Sequence, residues 1–171
     1  MKEMVILVDK DDNEIGLEEK IKAHKQGKLH RAFSVFIFNS KAEMMLQQRD
    51  DKKYHSGGLW TNACCSHPRA GEDVEQAAHR RLKEEMGFDC DINKAFDFIY
   101  KAELDHELIE HELDHVFIGN YNGEVTLNPD EAKDCKWISV EDLKIDVQKN
   151  PAMYTEWFKI AFNEVLKSYL V

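Results

Sequence analysis

No apolar run in this chain is long enough to cross a membrane. The longest, VILV (5–8) and FSVFIF (33–38), have the length of strands. The first residues, MKEMVILVDKDD, lack the long apolar segment and small-residue cleavage site of a secretion signal, so a cytoplasmic protein is expected. Cysteine is scarce and unpatterned. Cys64, Cys65, Cys90 and Cys135 form neither a C-x-x-C pair nor a disulfide framework, which leaves free thiols in a reducing compartment as the expectation. Basic residues are outnumbered, 23 Lys and Arg against 33 Asp and Glu. The net charge of -10 argues against a general nucleic-acid binder, which presents a basic surface to phosphate. It still allows one small basic pocket for a phosphorylated ligand. Repeats, low-complexity tracts and linkers are also missing. The whole chain, 1–171, therefore reads as one domain with a real core, expected as a monomer or weak dimer.

What is present is a mixture of strand and helix patterns. VILVD (5–9) reads as a strand, followed by the turn-rich KDDNEIG, and LEEKIKAHK (17–25) as a short helix. RAFSVFIFN (31–39) and EMMLQQR (43–49) read as strands joined at NSKA, and DDKKYHSGG (50–58) as a loop. From Glu72 to Met86 the spacing is helical, with Val74, Ala77, Ala78, Leu82 and Met86 near one face and Gly87 just past the end. FDFIY (96–100) alternates as a strand does. VFIGNY runs into Asn122-Gly123, a strong hairpin signal, with EVTL beyond it. CKWIS (135–139) is a further strand, and Ser139 with Asp142 marks a helix start. Pro151 suits the first turn of a final helix that turns Met153, Trp157, Ile160, Ala161 and Val165 inward. Without strict alternation, these elements predict an α+β fold: a mixed sheet flanked by helices.

HELDH (111–115) matches the H-E-x-x-H pattern of zinc proteases, which needs a helix. Yet the apolar residues of 104–117 spread over half a helical circumference, and the segment leads into VFIGNY. A strand from Glu110 to Tyr121 fits better. In a strand, His111 and His115 lie roughly 13 Å apart, too far to share one ion. Glu110 and Glu112 share the other face, roughly 6.6 Å apart, and can converge on one.

A second pattern is richer. WTNACCSHPRAGE (60–72) and HRRLKEEMGF (79–88) resemble a Nudix box, over about 66–88, matched by Glu72, Arg80, Glu84, Glu85 and Gly87. Ser66 stands where the pattern has Gly, and Arg81 where it has a metal-binding Glu. That reversal of charge, with LHRAFSVFIFN (29–39) and WTNACCSHP, resembles the type 1 isopentenyl diphosphate isomerases, which build a different reaction on a Nudix-like fold. The likeness runs from about Lys20 to Trp157.

The resemblance implies a Nudix-like sheet sandwiched between helices. It implies a metal site of His24, His30, His67, Glu110 and Glu112, suited to Mn²⁺ or Zn²⁺, with Mg²⁺ possible. Glu85, with the carbonyl of Cys65, resembles the site of a Mg²⁺ that accompanies the substrate diphosphate. Lys20, Arg49, Lys53 and Arg81 match diphosphate-binding cations, and an Arg at 81 suits a scaffold that holds a diphosphate without cutting it. Cys65 and Glu112 match the catalytic pair, with Glu112 taken as the protonating end and Cys65 as the deprotonating end. Tyr100 would assist Glu112, Trp157 would face the cation, and Trp60 would lie near the substrate. Adjacent thiols on a strand face opposite ways, so Cys64 goes to the core, as do Cys90 and Cys135. His55, His79, His106, His111 and His115 are placed at the surface or as outer supports. The ligand implied is a small allylic or homoallylic diphosphate, with no nucleic acid and no membrane. The competing readings are a Nudix hydrolase of a diphosphate compound, a zinc protease through His111 and His115, and a Nudix module that only binds.

Overall fold

The computed structural model describes residues 2–170. The chain runs β1 (Met4–Val8), β2 (Glu14–Glu19), α1 (Lys20–Gln26), β3 (His30–Phe38) and β4 (Glu43–Arg49). It continues β5 (Trp60–Thr61), β6 (Cys64–Ser66), α2 (Val74–Met86), β7 (Ile92–Glu103) and β8 (Ile109–Asn120). It closes with β9 (Ala132–Ser139), α3 (Val140–Lys149) and α4 (Glu156–Tyr169).

β3 organises the mixed sheet. One edge meets β1 at His30, β6 at Phe33–Val35 and β4 at Phe38, all antiparallel. The other edge pairs with β8 in parallel, from His30 beside Glu112 to Phe38 beside Asn120. A strand buried on both faces is apolar nearly throughout, and β3 reads so. Phe33, Val35 and Ile37 pack toward Ala77, Ala78, Leu82 and Met86 of α2. Phe36 and Phe38 pack with Met44, Leu46 and Val116 against Phe158, Ala161, Phe162 and Val165 of α4. Each large side chain buried in these layers contributes roughly 1.5–3 kcal/mol. Among the described residues no helix is long and apolar enough to cross a membrane.

α2 has clear ends. The Asp73 carboxylate accepts from the N–H groups of Glu75 and Gln76 at 3.0 and 3.2 Å, a cap of about 1 kcal/mol. Gly87 closes the helix with φ of 74°. A Cβ there would stand 2.5 Å from the carbonyl oxygen of Thr126.

Three sequence expectations change. Leu17–Glu19 extend β2 instead of opening a helix, because Glu19 pairs with Met4 on β1. Asn122-Gly123 makes no hairpin. EVTL instead crosses the end of α2, where the N–H groups of Thr126 and Asn128 bond the free carbonyls of Met86 and Glu85, both at 3.0 Å. Pro151 sits in a separate 3-10 turn, Pro151–Met153, and α4 starts at Glu156. The Thr155 N–H bonds the Trp60 carbonyl at 3.0 Å and sets that start. Met153 and Ile160 are therefore outward, 49% and 48% exposed, while Trp157, Ala161 and Val165 are buried as expected, beside Phe158 and Phe162.

Candidate active site and metal centre

β8 decides between the two readings of HELDH. It is a strand, so its neighbours alternate between faces. His111 Nδ1 donates to the Gly27 carbonyl at 3.0 Å, and His115 Nε2 lies 3.0 Å from Asp12 Oδ2. The two imidazoles serve separate partners. Glu110, Glu112 and Asp114 point to the opposite face, all buried. Parallel register sets His30 beside Glu112, α1 supplies His24, and the chain leaving β6 supplies His67.

One ligand atom from each of His24, His30, His67, Glu110 and Glu112 lies within 4.8 Å of all the others. His24 Nδ1 donates to the Lys20 carbonyl at 2.7 Å and His30 Nδ1 to the Lys28 carbonyl at 2.9 Å. These bonds fix the tautomer and turn an Nε2 lone pair inward. His30 Nε2 then stands 3.2 Å from Glu112 Oε2, and His67 Nε2 2.9 Å from the same oxygen. His24 Nε2 is 3.5 Å from Glu110 Oε1. Lone pairs facing carboxylate oxygens at such distances repel unless a proton or a metal cation lies between them. His24 Nε2 and Glu110 Oε2 are buried without a hydrogen bond. The donor set fits a metal ion.

The charge states agree. Burial, then His24, pushes His30 down to about 4, and burial holds His67 well below the usual imidazole range. Both rings are neutral and able to ligate. Burial, then the charge on Glu110, holds Glu112 well above the usual carboxylate range. Burial opposes ionisation of Glu110 too, but the neighbouring His55, with Glu112 and His24 beside it, holds it well below that range. The Tyr100 hydroxyl donates to Glu112 Oε1 at 2.6 Å.

The thiols face opposite ways. Cys65 pairs with Ser34 and Cys64 with Val35, whose side chains lie on opposite faces of β3. Cys64 Sγ lies 2.6 Å from Glu85 Oε2 on the α2 side. Cys65 Sγ accepts from Trp157 Nε1 at 2.9 Å and donates toward Asn62 Oδ1 at 3.0 Å. Burial, then the charge on Asp114, pushes the Cys65 thiol up to about 12. A cavity of about 20 Å³ is lined by Cys65, His67, Glu110, Glu112, Tyr54 and Trp157. Trp157 presents its N–H to sulfur, and one face already meets the Arg49 guanidinium, 5.2 Å from the ring centre.

A cavity of about 660 Å³ adjoins it and shares Arg49, Tyr54, Cys65, Ser66 and His67. Lys20, Arg49, Lys53 and Arg81 all line it. Glu131 bridges two of them, 2.7 Å from Lys53 Nζ and 3.0 Å from Arg81 Nη2. Arg81 also holds Glu84 at 2.6 Å and approaches Glu85 at 3.5 Å. Glu85 is thus apart from the five-donor cluster, buried beside Cys64 and Arg81. Arg80 grips Glu72 with two bonds of 2.7 and 2.8 Å, a brace between helix and loop.

A NUDIX domain matches residues 28–158. Isopentenyl-diphosphate Delta-isomerase 2 of Aromatoleum aromaticum is 52% identical over 97% of this chain and 88% of its own length. The enzyme of the same name from Photorhabdus laumondii is 53% identical over 95% and 92%. The chain belongs to the isopentenyl-diphosphate Delta-isomerase family. Among solved structures, DR0079 from Deinococcus radiodurans has a TM-score of 0.77 at 16% identity, covering 94% of this chain and 98% of its own. The MutT protein from Methanosarcina mazei Go1 has a TM-score of 0.68 at 17% identity, covering 82% and 95%. These two show the shared fold. Within the isomerase family, the Arg at 81 has a visible setting: it faces a cavity wall among carboxylates.

Some placements were not legible. Trp60 lines neither cavity; it packs beside the α4 core with Lys136 Nζ 4.3 Å over its ring. Cys90 and Cys135 are only half-buried, against the α2 core. His55 is not at the surface: it is 1% exposed, with Nε2 3.0 Å from Glu110 Oε2. It lies in a loop, where no periodicity could flag it. Asp114 could have been found, since it continues the Glu110, Glu112 alternation. It accepts from Ser34 Oγ at 2.7 Å, next to Cys65.

Proposed function

We propose that this chain interconverts isopentenyl diphosphate and dimethylallyl diphosphate, moving a proton onto one end of the alkene and off the other. The observation that carries the reading is that Cys65 and Glu112 line one small cavity, which opens beside a cation-lined one. The diphosphate would lie among Lys20, Arg49, Lys53 and Arg81, with Glu85 and the Cys65 carbonyl holding an accompanying Mg²⁺. The prenyl group would reach inward.

Glu112 delivers a proton to the terminal carbon and leaves a tertiary cation. Cys65 removes a proton from the carbon nearer the oxygen. In reverse the same two groups exchange roles. His24, His30, His67, Glu110 and Glu112 would hold an ion, Mn²⁺, Zn²⁺ or Mg²⁺, which would supply a fixed positive charge that strengthens the acid. Tyr100 steadies Glu112 at its other oxygen. The Trp157 N–H, aimed at sulfur, offsets part of the burial that otherwise holds Cys65 as a thiol, and so eases formation of the thiolate that a base requires. Its ring is the cation-facing wall, and a desolvated contact of that kind contributes about 2 kcal/mol. General acid–base help contributes roughly 10²–10⁴ in rate. Typical enzyme accelerations begin near ~10⁶, so positioning and a dry site supply the rest.

Hydrolysis is the weaker reading. Arg81 puts a guanidinium where the Nudix pattern asks for a metal-binding carboxylate. Incubation with isopentenyl diphosphate, Mn²⁺ and Mg²⁺ in heavy water tests the choice. Deuterated dimethylallyl diphosphate is expected. Unlabelled substrate from metal-loaded protein overturns isomerisation, and released phosphate favours hydrolysis.

A further inference from the structure

We infer that His55 is a positioning residue for Glu110, turning one carboxylate oxygen away so that the other is presented to the metal ion. The inference deepens the metal-centre reading and rests on it. His55 lies between β4 and β5, buried, with Nε2 3.0 Å from Glu110 Oε2. Among the described residues neither atom has a hydrogen-bond partner, and their own contact is out of line for a full hydrogen bond. An ionised carboxylate can only accept. A favourable contact therefore needs the proton on His55 Nε2, which leaves Nδ1 to accept from the Ser56 hydroxyl at 3.0 Å.

This is the reverse of His24 and His30. Their Nδ1–H groups donate to backbone carbonyls and leave Nε2 free to ligate. His55 also falls outside the five residues whose donor atoms lie within 4.8 Å of one another. It is therefore built to donate to Glu110 and not to ligate. With Oε2 beside His55 Nε2, Glu110 Oε1 faces His24. The same residue ties the cluster to the cavity wall. Its carbonyl accepts from Arg49 Nη2 at 3.1 Å, and its ring meets Trp157 edge-on at 5.8 Å. Groups that orient metal ligands in this way commonly change metal affinity 10–100-fold when removed.

The test is Mn²⁺ titration of the full chain without substrate, following free ion by electron paramagnetic resonance. His55→Ala should raise the Mn²⁺ dissociation constant about 10–100-fold. His55→Gln, whose amide N–H can reach the same oxygen, should recover most of that loss. Bound Co²⁺ should keep its visible band intensity in His55→Gln, since no ligand is lost. Wild-type affinity in His55→Ala, no recovery in His55→Gln, or a changed Co²⁺ band each overturns the inference. A wild-type chain that binds no Mn²⁺ overturns the metal-centre reading beneath it, and one that binds Mn²⁺ without isomerising overturns only the proposed reaction.

Discussion

The His/Glu cluster is buried and short of positive charge, whereas the cavity beside it is open and rich in cations. In the cluster, each oxygen of Glu110 and Glu112 faces an imidazole or a hydroxyl. In the cavity, Lys53 and Arg81 already share Glu131, and Arg81 holds Glu84 as well. Loss of one partner costs far more in the first setting, because an uncompensated buried charge is left behind. The second setting is partly solvated, and its losses are graded. Binding of an anion there exchanges one carboxylate for another anion and does not create charge from nothing.

Substitutions at the two centres should widen this contrast. Cys65→Ala and Glu112→Gln should each reduce deuterium transfer into product by roughly 10²–10⁴. Cys64→Ala, on the opposite face, should retain far more turnover in the same assay. At the next scale, His67→Ala should weaken metal binding by at least about 10–100-fold, read by metal content after dialysis. Arg81→Ala should raise KM about 10–100-fold, the equivalent of losing 1.5–3 kcal/mol of charged hydrogen bonding, with a smaller change in kcat. A turnover loss no larger at the cluster than at the cavity would erase the distinction.

Two smaller effects test the frame that holds both regions. Gly87→Ala forces a side chain into left-handed backbone against the Thr126 carbonyl, and should cost about 1–3 kcal/mol in denaturant unfolding. Glu72 is held below the usual carboxylate range, first by its hydrogen bonds from Arg80. Its folded-state pKa is depressed, so its contribution is present above the unfolded value near 4.5 and fades as pH falls through the folded one. Glu72→Gln should lower Tm slightly at neutral pH and converge with the wild type in acid. A gap that grows in acid would refute that sign.

Legibility followed locality. β3 and β8 were readable because alternation and apolar runs are local, and α2 because its apolar residues recur at helical spacing and Gly87 sits just past its end. The turn signal at Asn122-Gly123 lost to a distant demand, the bare carbonyls of Met86 and Glu85. Pro151 lost to the tie between Thr155 and Trp60, which fixes where α4 begins. The cluster residues were named through motif likeness, not through any property of a lone histidine. For His55 the choice between surface and outer support stayed open, because a loop residue meets Glu110 only through the folded chain.

The inner cavity, about 20 Å³, holds little more than one water. A branched five-carbon chain is several times larger. For carbon to sit there, the indole of Trp157 would have to let go of sulfur or the Tyr54 side would have to shift, both being walls of that space. Cys65 also borders the larger cavity, so its sulfur can be approached from that side by small reagents even while the inner space stays shut.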